Sequence, residues 1–361
     1  MLERVIIRNF KSIKQAEIDL KRINILIGAN GAGKSNFVSF FEIVNAIFSK
    51  NLSGYVLRRG GFDRFLYNGK KVSKSVEGLI DFDNTNAFYF NLNPAIDNKV
   101  LIKETADFFN VRRDSEKNYS TWNKRVRDSN VVESNIMENR EWRAGYIKNY
   151  LGSFTVYHFH DTSITSSLRS ECNISDNYAL RHDGSNLAAF LFRLQQEHPR
   201  DFQYIESVIR SVAPYFKQFK FREDPINNGM IKLEWEQVGT DSYFDAYSFS
   251  DGTLRFIALA TLLLQPTEGR TIIIDEPEIG LHPSAINKLT AMIQRASVKN
   301  QVIVATQSVN LINNFLPEDI IVTDRNGSTS YRRLNSEELQ EWVADHSLGP
   351  IQKAAENIPT I

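Results

Sequence analysis

Two rhythms of apolar and polar positions run along the chain. Ile23, Ile25 and Ile27 alternate as a strand should, and the run from about Ser35 to Phe48 has the apolar spacing of a helix. Between them lies a glycine-rich turn. Residues 1–27 read as short strands. Three further alternating runs, VEGLIDF, AFYFNL and KVLIKETADF, fill residues 75–106 with Asn- and Pro-bearing turns between them, which predicts antiparallel strands. Residues Asn186 to Phe216 predict two helices separated near Pro199, and Phe219 to Val238 a hairpin around Asn227-Asn228-Gly229. SFSDGTLRFIALATLLL, from Ser248, predicts a strongly apolar helix. RTIIIDEP and QVIVATQS each run apolar into polar residues, the pattern of buried parallel strands. RNGS at Arg325 joins two more strands, and SEELQEWVAD predicts a helix.

Composition narrows the classes. The 361 residues exceed one ordinary domain, so one large α/β unit with an insertion is expected. Lys+Arg and Asp+Glu number 43 each, which argues against a basic nucleic-acid coat but not against a local patch. The single cysteine, Cys172, excludes an internal disulfide and makes a reducing cytoplasm the expected location. No signal peptide is visible in MLERVIIRNF. The longest apolar run, Ile257 to Leu264, is far short of the roughly 20 residues a bilayer needs, so no membrane association is expected.

The chemistry begins at the glycines. Gly28 to Ser35 fits G-x-x-x-x-G-K-[ST] at every fixed position. Glycines let successive backbone N–H groups turn toward phosphate oxygens. Lys34 would reach the β- and γ-phosphates, the Ser35 hydroxyl would ligate Mg²⁺, and the following helix would aim its positive end at the same anions. The predicted ATP-binding set is Gly28, Asn30, Gly31, Gly33, Lys34, Ser35 and Asn36. Downstream, Asp275 and Glu276 stand at a strand end, where open α/β sheets place ligands. Asp275 would hold Mg²⁺ and Glu276 would orient or deprotonate the attacking water. Ser250, Asp251, Gly252 and Thr253 open the apolar helix and form a second anion-seeking helix start, although Ser250 also reads as a plain N-cap. Gln307 ends a strand and could touch a γ-phosphate, and a cap at Ser308 explains the same residues equally well.

In the order Gly28–Ser35, Ser250–Thr253, Asp275–Glu276, Gln307, these motifs resemble the ABC-type ATPase heads of the RecF, SMC and OLD group, and more closely their compact bacterial AAA-type relatives. LERVIIRNFKSIKQAEIDLKRINILIGANGAGKSNF is similar to that group's opening, GLHP after Asp275-Glu276-Pro277-Glu278 is one of its marks, and VYHFHDTS and LRHDGSNLAAFLFRL look like the compact subfamily. The likeness covers residues 1–80 and 150–350 and is thin over 100–150. It implies an α/β P-loop NTPase of ABC-ATPase-head type: a mixed sheet with helices on both faces, an antiparallel β subdomain and a short helical insertion. Residues 107–150 change character from what precedes them, so the expected division is 1–106, an N-terminal ATPase lobe; 107–150, an inserted helical arm; and 151–361, a C-terminal lobe with signature, Walker B and switch elements.

By resemblance, two heads, in a homodimer or a higher oligomer, sandwich two ATP molecules with Mg²⁺. The Ser250–Thr253 loop of one subunit then caps the γ-phosphate held by Lys34 of the other. Glu276 and Gln307 are the catalytic candidates. Many relatives carry histidine at the place of Gln307, so slow turnover is expected. No glutamine occurs between Gln15 and Gln195, so the glutamine loop of ABC heads has no counterpart, and Asp161 is a secondary candidate beside its structural role. Arg112 to Arg127 holds six basic and two acidic residues around Tyr119 and Trp122, a contact surface for nucleic acid or protein, or a solvated helical face. His158 and His160 lack further ligands for a metal and read as packed histidines. The chain leaves no room for a nuclease domain like that of OLD proteins, so any effector is expected on a separate polypeptide. The functional reading is an ATPase switch that controls that effector, with anti-phage defence by analogy; a RecF-like DNA-binding repair ATPase is the alternative. A structural scaffold and a transport ATPase rank lower.

Overall fold

The computed structural model describes residues 1–83, 85–110, 119–222, 227, 229–339 and 342. In chain order the elements are β1 (Leu2–Phe10), β2 (Ile13–Asp19), β3 (Ile23–Ile27), α1 (Lys34–Phe48), α2 (Leu52–Arg58), β4 (Val76–Phe82), β5 (Asn86–Pro94), β6 (Val100–Phe109), β7 (Asn123–Val131) and α3 (Trp142–Leu151). There follow β8 (Phe154–Tyr157), β9 (Cys172–Asn173), α4 (Leu187–Glu197), α5 (Pro199–Val212), β10 (Phe216–Lys220), β11 (Met230–Ile231), β12 (Glu234–Gln237) and β13 (Tyr243–Asp245). The last are α6 (Asp251–Leu264), β14 (Thr271–Asp275), α7 (Pro283–Ser297), β15 (Gln301–Thr306), α8 (Val309–Ile312), β16 (Ile320–Asn326) and β17 (Ser328–Arg332). Two compact units emerge: Leu2–Leu151 with Ala305–Ile361, and Gly152–Val304.

The first unit contains a six-stranded antiparallel sheet in the order β2-β1-β4-β5-β6-β7. Helix α1 lies on it because its own sequence is apolar nearly all round: Phe37, Phe40, Phe41, Ile43, Val44 and Ile47 are all buried. The ring of Phe40 meets Phe10 of β1 edge-on at 6.0 Å and Phe90 of β5 at 5.7 Å. Each such ring contributes about 1.5–3 kcal/mol on burial. Gly78 of β4 makes room for this packing, since a Cβ there would stand 2.4 Å from Phe90 and 2.7 Å from Phe40. In the same unit β3 runs parallel to β16, and β16 turns back antiparallel into β17 through Asn326 and Gly327.

The second unit pairs β8 and β14 in parallel, with Ile274 opposite Tyr157. A three-stranded antiparallel sheet, β10-β12-β13, is sealed by aromatic packing in which Trp235 stacks on Phe249 at 4.5 Å. The hairpin expected to turn at Asn227-Asn228-Gly229 is not formed there: β10 pairs with β12 across the longer connection from Lys220 to Glu234, Met230–Ile231 pairs instead with β9, and Asn228 lies outside the described residues. Helices α4 and α5 separate at His198-Pro199, as the proline predicts.

Another expectation is corrected. The basic run was expected to be helical, yet Asn123–Val131 is strand β7, antiparallel to β6. It has no apolar face: of its nine residues only Asp128 is buried. Backbone pairing with β6 holds it, together with the Asp128 carboxylate, which accepts hydrogen bonds from Thr105 (2.7 Å) and Ser134 (2.6 Å). Within 107–150 the described helix is Trp142–Leu151 alone, and residues 112–118 of the run lie outside the described residues. By compactness 107–150 groups with residues 2–106, and the chain after Val304 rejoins that unit. The expected helix SEELQEWVAD lies partly outside the described residues, with Ser336 to Leu339 helical.

Candidate functional site

In the first unit the phosphate loop is built by close approach. Strand β3 is buried along Asn24–Ile27, as a strand covered on both faces must be. It delivers Gly28, whose Cα lies so near the chain that a Cβ would sit 2.2 Å from the Thr323 carbonyl oxygen. Gly31 and Gly33 have φ of 79° and 120°, backbone that L side chains rarely adopt. At Gly33 a Cβ would also stand 2.4 Å from the Thr329 hydroxyl. Lys34 opens α1 and is 4% exposed. Its ammonium donates to the carbonyls of Gly28 (2.6 Å) and Ala29 (3.1 Å), folding back over the loop. A buried cation needs such partners.

Sequence reasoning missed the residues that hold this loop from behind. The Thr329 hydroxyl donates to the Ala32 carbonyl (2.8 Å) and is bonded to the Ser12 hydroxyl (2.7 Å). Tyr331 donates its phenol O–H to the Gly33 carbonyl (3.0 Å). Burial pushes the Tyr331 phenol far up, so it stays a neutral donor. Asn36, expected to touch ATP, gives its amide N–H to Ser12 (2.6 Å). Asn30 and Ser35 are exposed. Nothing local flags Thr329 or Tyr331, which reach the loop across 297 and 298 residues of sequence. The loop fits a polyphosphate: its carbonyls are turned onto Lys34, Thr329 and Tyr331, and α1 begins at Gly33 without a side-chain cap. An uncapped start of a 15-residue helix is a ready anion partner. Gln307 belongs to the same unit, is exposed, and follows β15; Ser308 beside it caps α8 by accepting from the Leu311 N–H (3.3 Å).

In the second unit β14 is buried over Thr271–Ile274 and emerges at Asp275. Glu276 then takes φ of 43°, a left-handed conformation uncommon for any residue but glycine and asparagine. Such strain costs on the order of 1–3 kcal/mol and concentrates at functional positions. The turn that follows is closed by the Ile279 N–H on the Glu276 carbonyl (3.3 Å) and the Leu281 N–H on that of Glu278 (3.0 Å).

Ser250 is the N-cap of α6: its hydroxyl oxygen accepts from the Thr253 N–H at 3.2 Å and bonds the Thr253 hydroxyl at 2.9 Å. Ser250 and Asp251 are exposed, with Gly252 and Thr253 half-buried, so cap and outward-facing loop coincide. Asp251 pairs with the buried Arg169 (2.8 Å), which also donates to the carbonyls of Thr162, Ala246 and Phe249. A Cβ on Gly252 would stand 2.4 Å from the Gly280 carbonyl, so the turn after Glu276 touches the helix start. His158 and His160 follow β8, with ring centroids 6.3 Å apart. Although His160 meets solvent, desolvation holds its imidazole below the ordinary value, His158 and Arg255 push the same way, and the Glu276 charge opposes them. Asp161 accepts from the Ser163 N–H (3.0 Å), a local turn role. Among the described residues no group of three or more His, Cys, Asp or Glu is arranged to hold a metal, and no helix is long and apolar enough to cross a membrane.

The family described as "AAA domain, putative AbiEii toxin, Type IV TA system" matches residues 23–313. The curated Old nuclease of Escherichia phage P2 is 23% identical over 96% of the chain, which spans 63% of that protein's length. Among solved structures, the Smc head bound to the C-winged helix domain of ScpA has a TM-score of 0.60 at 16% identity, covering 94% of this chain and 99% of that one. The Smc head with an extended coiled coil bound to the C-terminal domain of ScpA from Pyrococcus furiosus gives 0.53 at 14% identity, covering 96% and 99%. At such identities the likeness establishes the fold: a P-loop NTPase of the ABC-ATPase-head type.

Proposed function

The chain belongs to the AAA family whose model spans residues 23–313, and from that premise we propose that it binds and slowly hydrolyses ATP as a switch on a separate effector. The observation that carries this reading is the phosphate loop itself, where two close-packed glycines, a buried lysine and an uncapped helix start converge. Lys34 would exchange its contacts with Gly28 and Ala29 for phosphate oxygens. Ser35 and Asp275 are the residues assigned to Mg²⁺, which supplies charge neutralisation on the triphosphate. Glu276 orients the attacking water and accepts its proton, and Gln307 offers a hydrogen bond without a proton-holding site. The Ser250–Thr253 start of α6, exposed at Ser250 and Asp251, is assigned to the γ-phosphate of a second copy, which makes the working form a homodimer.

The likeness to the phage P2 Old nuclease is what supports a role in defence against phage. The DNA-repair alternative has less support, because the described cations of the basic run are engaged. Lys124 pairs with Glu104, Arg125 with Glu141, and Arg127 with Asp107 and Glu141. The test is phosphate release by the purified chain with ATP and Mg²⁺. Release that disappears in Lys34→Ala supports the reading; release unaffected by that change, or none in the unaltered protein, removes it.

A further inference from the structure

Arg255 stands on α6 five residues past Ser250 and is 6% exposed. Among the described residues, its hydrogen-bond partners are backbone carbonyls. Nε donates to Phe159 (2.9 Å), Nη2 to His160 (2.6 Å) and Nη1 to Ile279. Phe159 and His160 leave the end of β8, and Ile279 sits in the turn that closes on the Glu276 carbonyl. One guanidinium therefore joins three segments: the helix that begins at Ser250, the exit of β8, and the turn carrying Glu276. Gly252 against Gly280 is a second contact between the first and the last of these.

Packing alone does not account for an arginine here. Burial lowers its tendency to stay charged, the charge of Asp251 at the helix start opposes this, and among the described residues no carboxylate forms a close ion pair with it. A buried cation of this kind is costly, and here the cost is met by donation to three carbonyls that an apolar side chain would deprive of this donor. The property that an apolar residue or a lysine lacks is the rigid fork, which fixes several acceptors at set angles at once. Glu276 adds the other half. Held at φ of 43°, it occupies a conformation that its surroundings must enforce, and the turn that enforces it is the one Arg255 grips.

We propose that Arg255 is a positioning residue that couples the Ser250–Thr253 loop to Glu276, so that engagement of the loop by a triphosphate sets the carboxylate that directs water. The inference rests on the ATPase reading and adds a reason for hydrolysis to wait until the loop is engaged. A displacement of the helix start moves the fork, and the fork carries the Ile279 carbonyl and the strained residue with it.

The test uses the full chain and Arg255→Lys, which keeps the charge and loses the fork, with Arg255→Met as the second variant. Melting curves within a few degrees of the unaltered protein establish that each is folded. The expected result for Arg255→Lys is kcat at least about tenfold lower with ATP affinity within about twofold. Adding Arg255→Lys to Glu276→Gln should cause no further loss, because the first acts through the second. Hydrogen exchange gives the readout independent of turnover. Without nucleotide, residues 276–281 and 158–161 should exchange at least about tenfold faster in the variants than in the unaltered protein. With ATP, protection should reach 250–253 and 276–281 together in the unaltered protein and 250–253 alone in the variants. Equal exchange of 276–281 in all proteins, a loss of affinity matching the loss of kcat, or multiplying losses in the double variant overturns the proposal. Absence of phosphate release in the unaltered protein would instead defeat the ATPase reading, and the nucleotide-free exchange would still decide the clamp.

Discussion

Replacing Tyr331 with phenylalanine tests how the phosphate loop is held. The ring packs on Phe37 with centroids 5.5 Å apart and phenylalanine keeps that contact, so the change removes one donor and little else. Two outcomes are physically distinct. If the Gly33 carbonyl were left with no donor, the penalty would be the full desolvation cost, about 1–3 kcal/mol. It is not: the same carbonyl also accepts from the N–H groups of Asn36 and Phe37, each at 3.1 Å. The loss is therefore one net hydrogen bond, about 0.5–1.5 kcal/mol. Gly33 sits at φ of 120°, and the phenol bond opposes rotation of that peptide out of the shape that binds phosphate. If the whole loss fell on nucleotide binding, ATP affinity would weaken about 2- to 12-fold, and any part that does not appears as lost stability; the account predicts the larger part in affinity. Thr329→Val removes the bonds to Ala32 and Ser12 and should add to it. Equilibrium titration with a fluorescent ATP analogue and urea unfolding of the same samples separate the two. Unchanged affinity with stability lowered by the whole amount would show that the hairpin β16–β17 supports the fold and not the nucleotide loop.

At position 276 both Glu276→Gly and Glu276→Ala remove the carboxylate, but the left-handed backbone should make the glycine variant more stable by about 0.5–1 kcal/mol in urea melts; the reverse order would remove the strain at this residue. Lys11 is pushed by burial, and next by the charge of Arg59, from 10.5 down to about 8. Between those values the unfolded chain binds more protons than the folded one, so this group's contribution improves as pH rises through that window. The rise in urea midpoint between pH 8 and 10 should be smaller in Lys11→Met, and an equal rise in both proteins would contradict the assignment.

What the sequence disclosed was what neighbouring residues encode. The phosphate loop and the strand before Asp275 are legible because glycine spacing and apolar runs are local properties, and α4 and α5 because Pro199 marks their junction. Strand β7 was illegible for the opposite reason: an exposed edge strand held by its partner's backbone carries no alternation of its own. Arg255 is hidden inside an apolar helix, and its three carbonyl partners lie 24 to 96 residues away. Thr329 and Tyr331 are harder still, since only the folded chain brings β17 behind the loop of β3.

The central claim is that ATP joins two copies through Lys34 and Ser250, and one measurement addresses it most directly. Sedimentation velocity of Glu276→Gln is run with ATP and Mg²⁺, then with Ser250→Arg added. The account predicts a dimer that forms only with ATP and is lost in the double variant. A Glu276→Gln protein that binds ATP and still sediments as a monomer at tens of micromolar would contradict it.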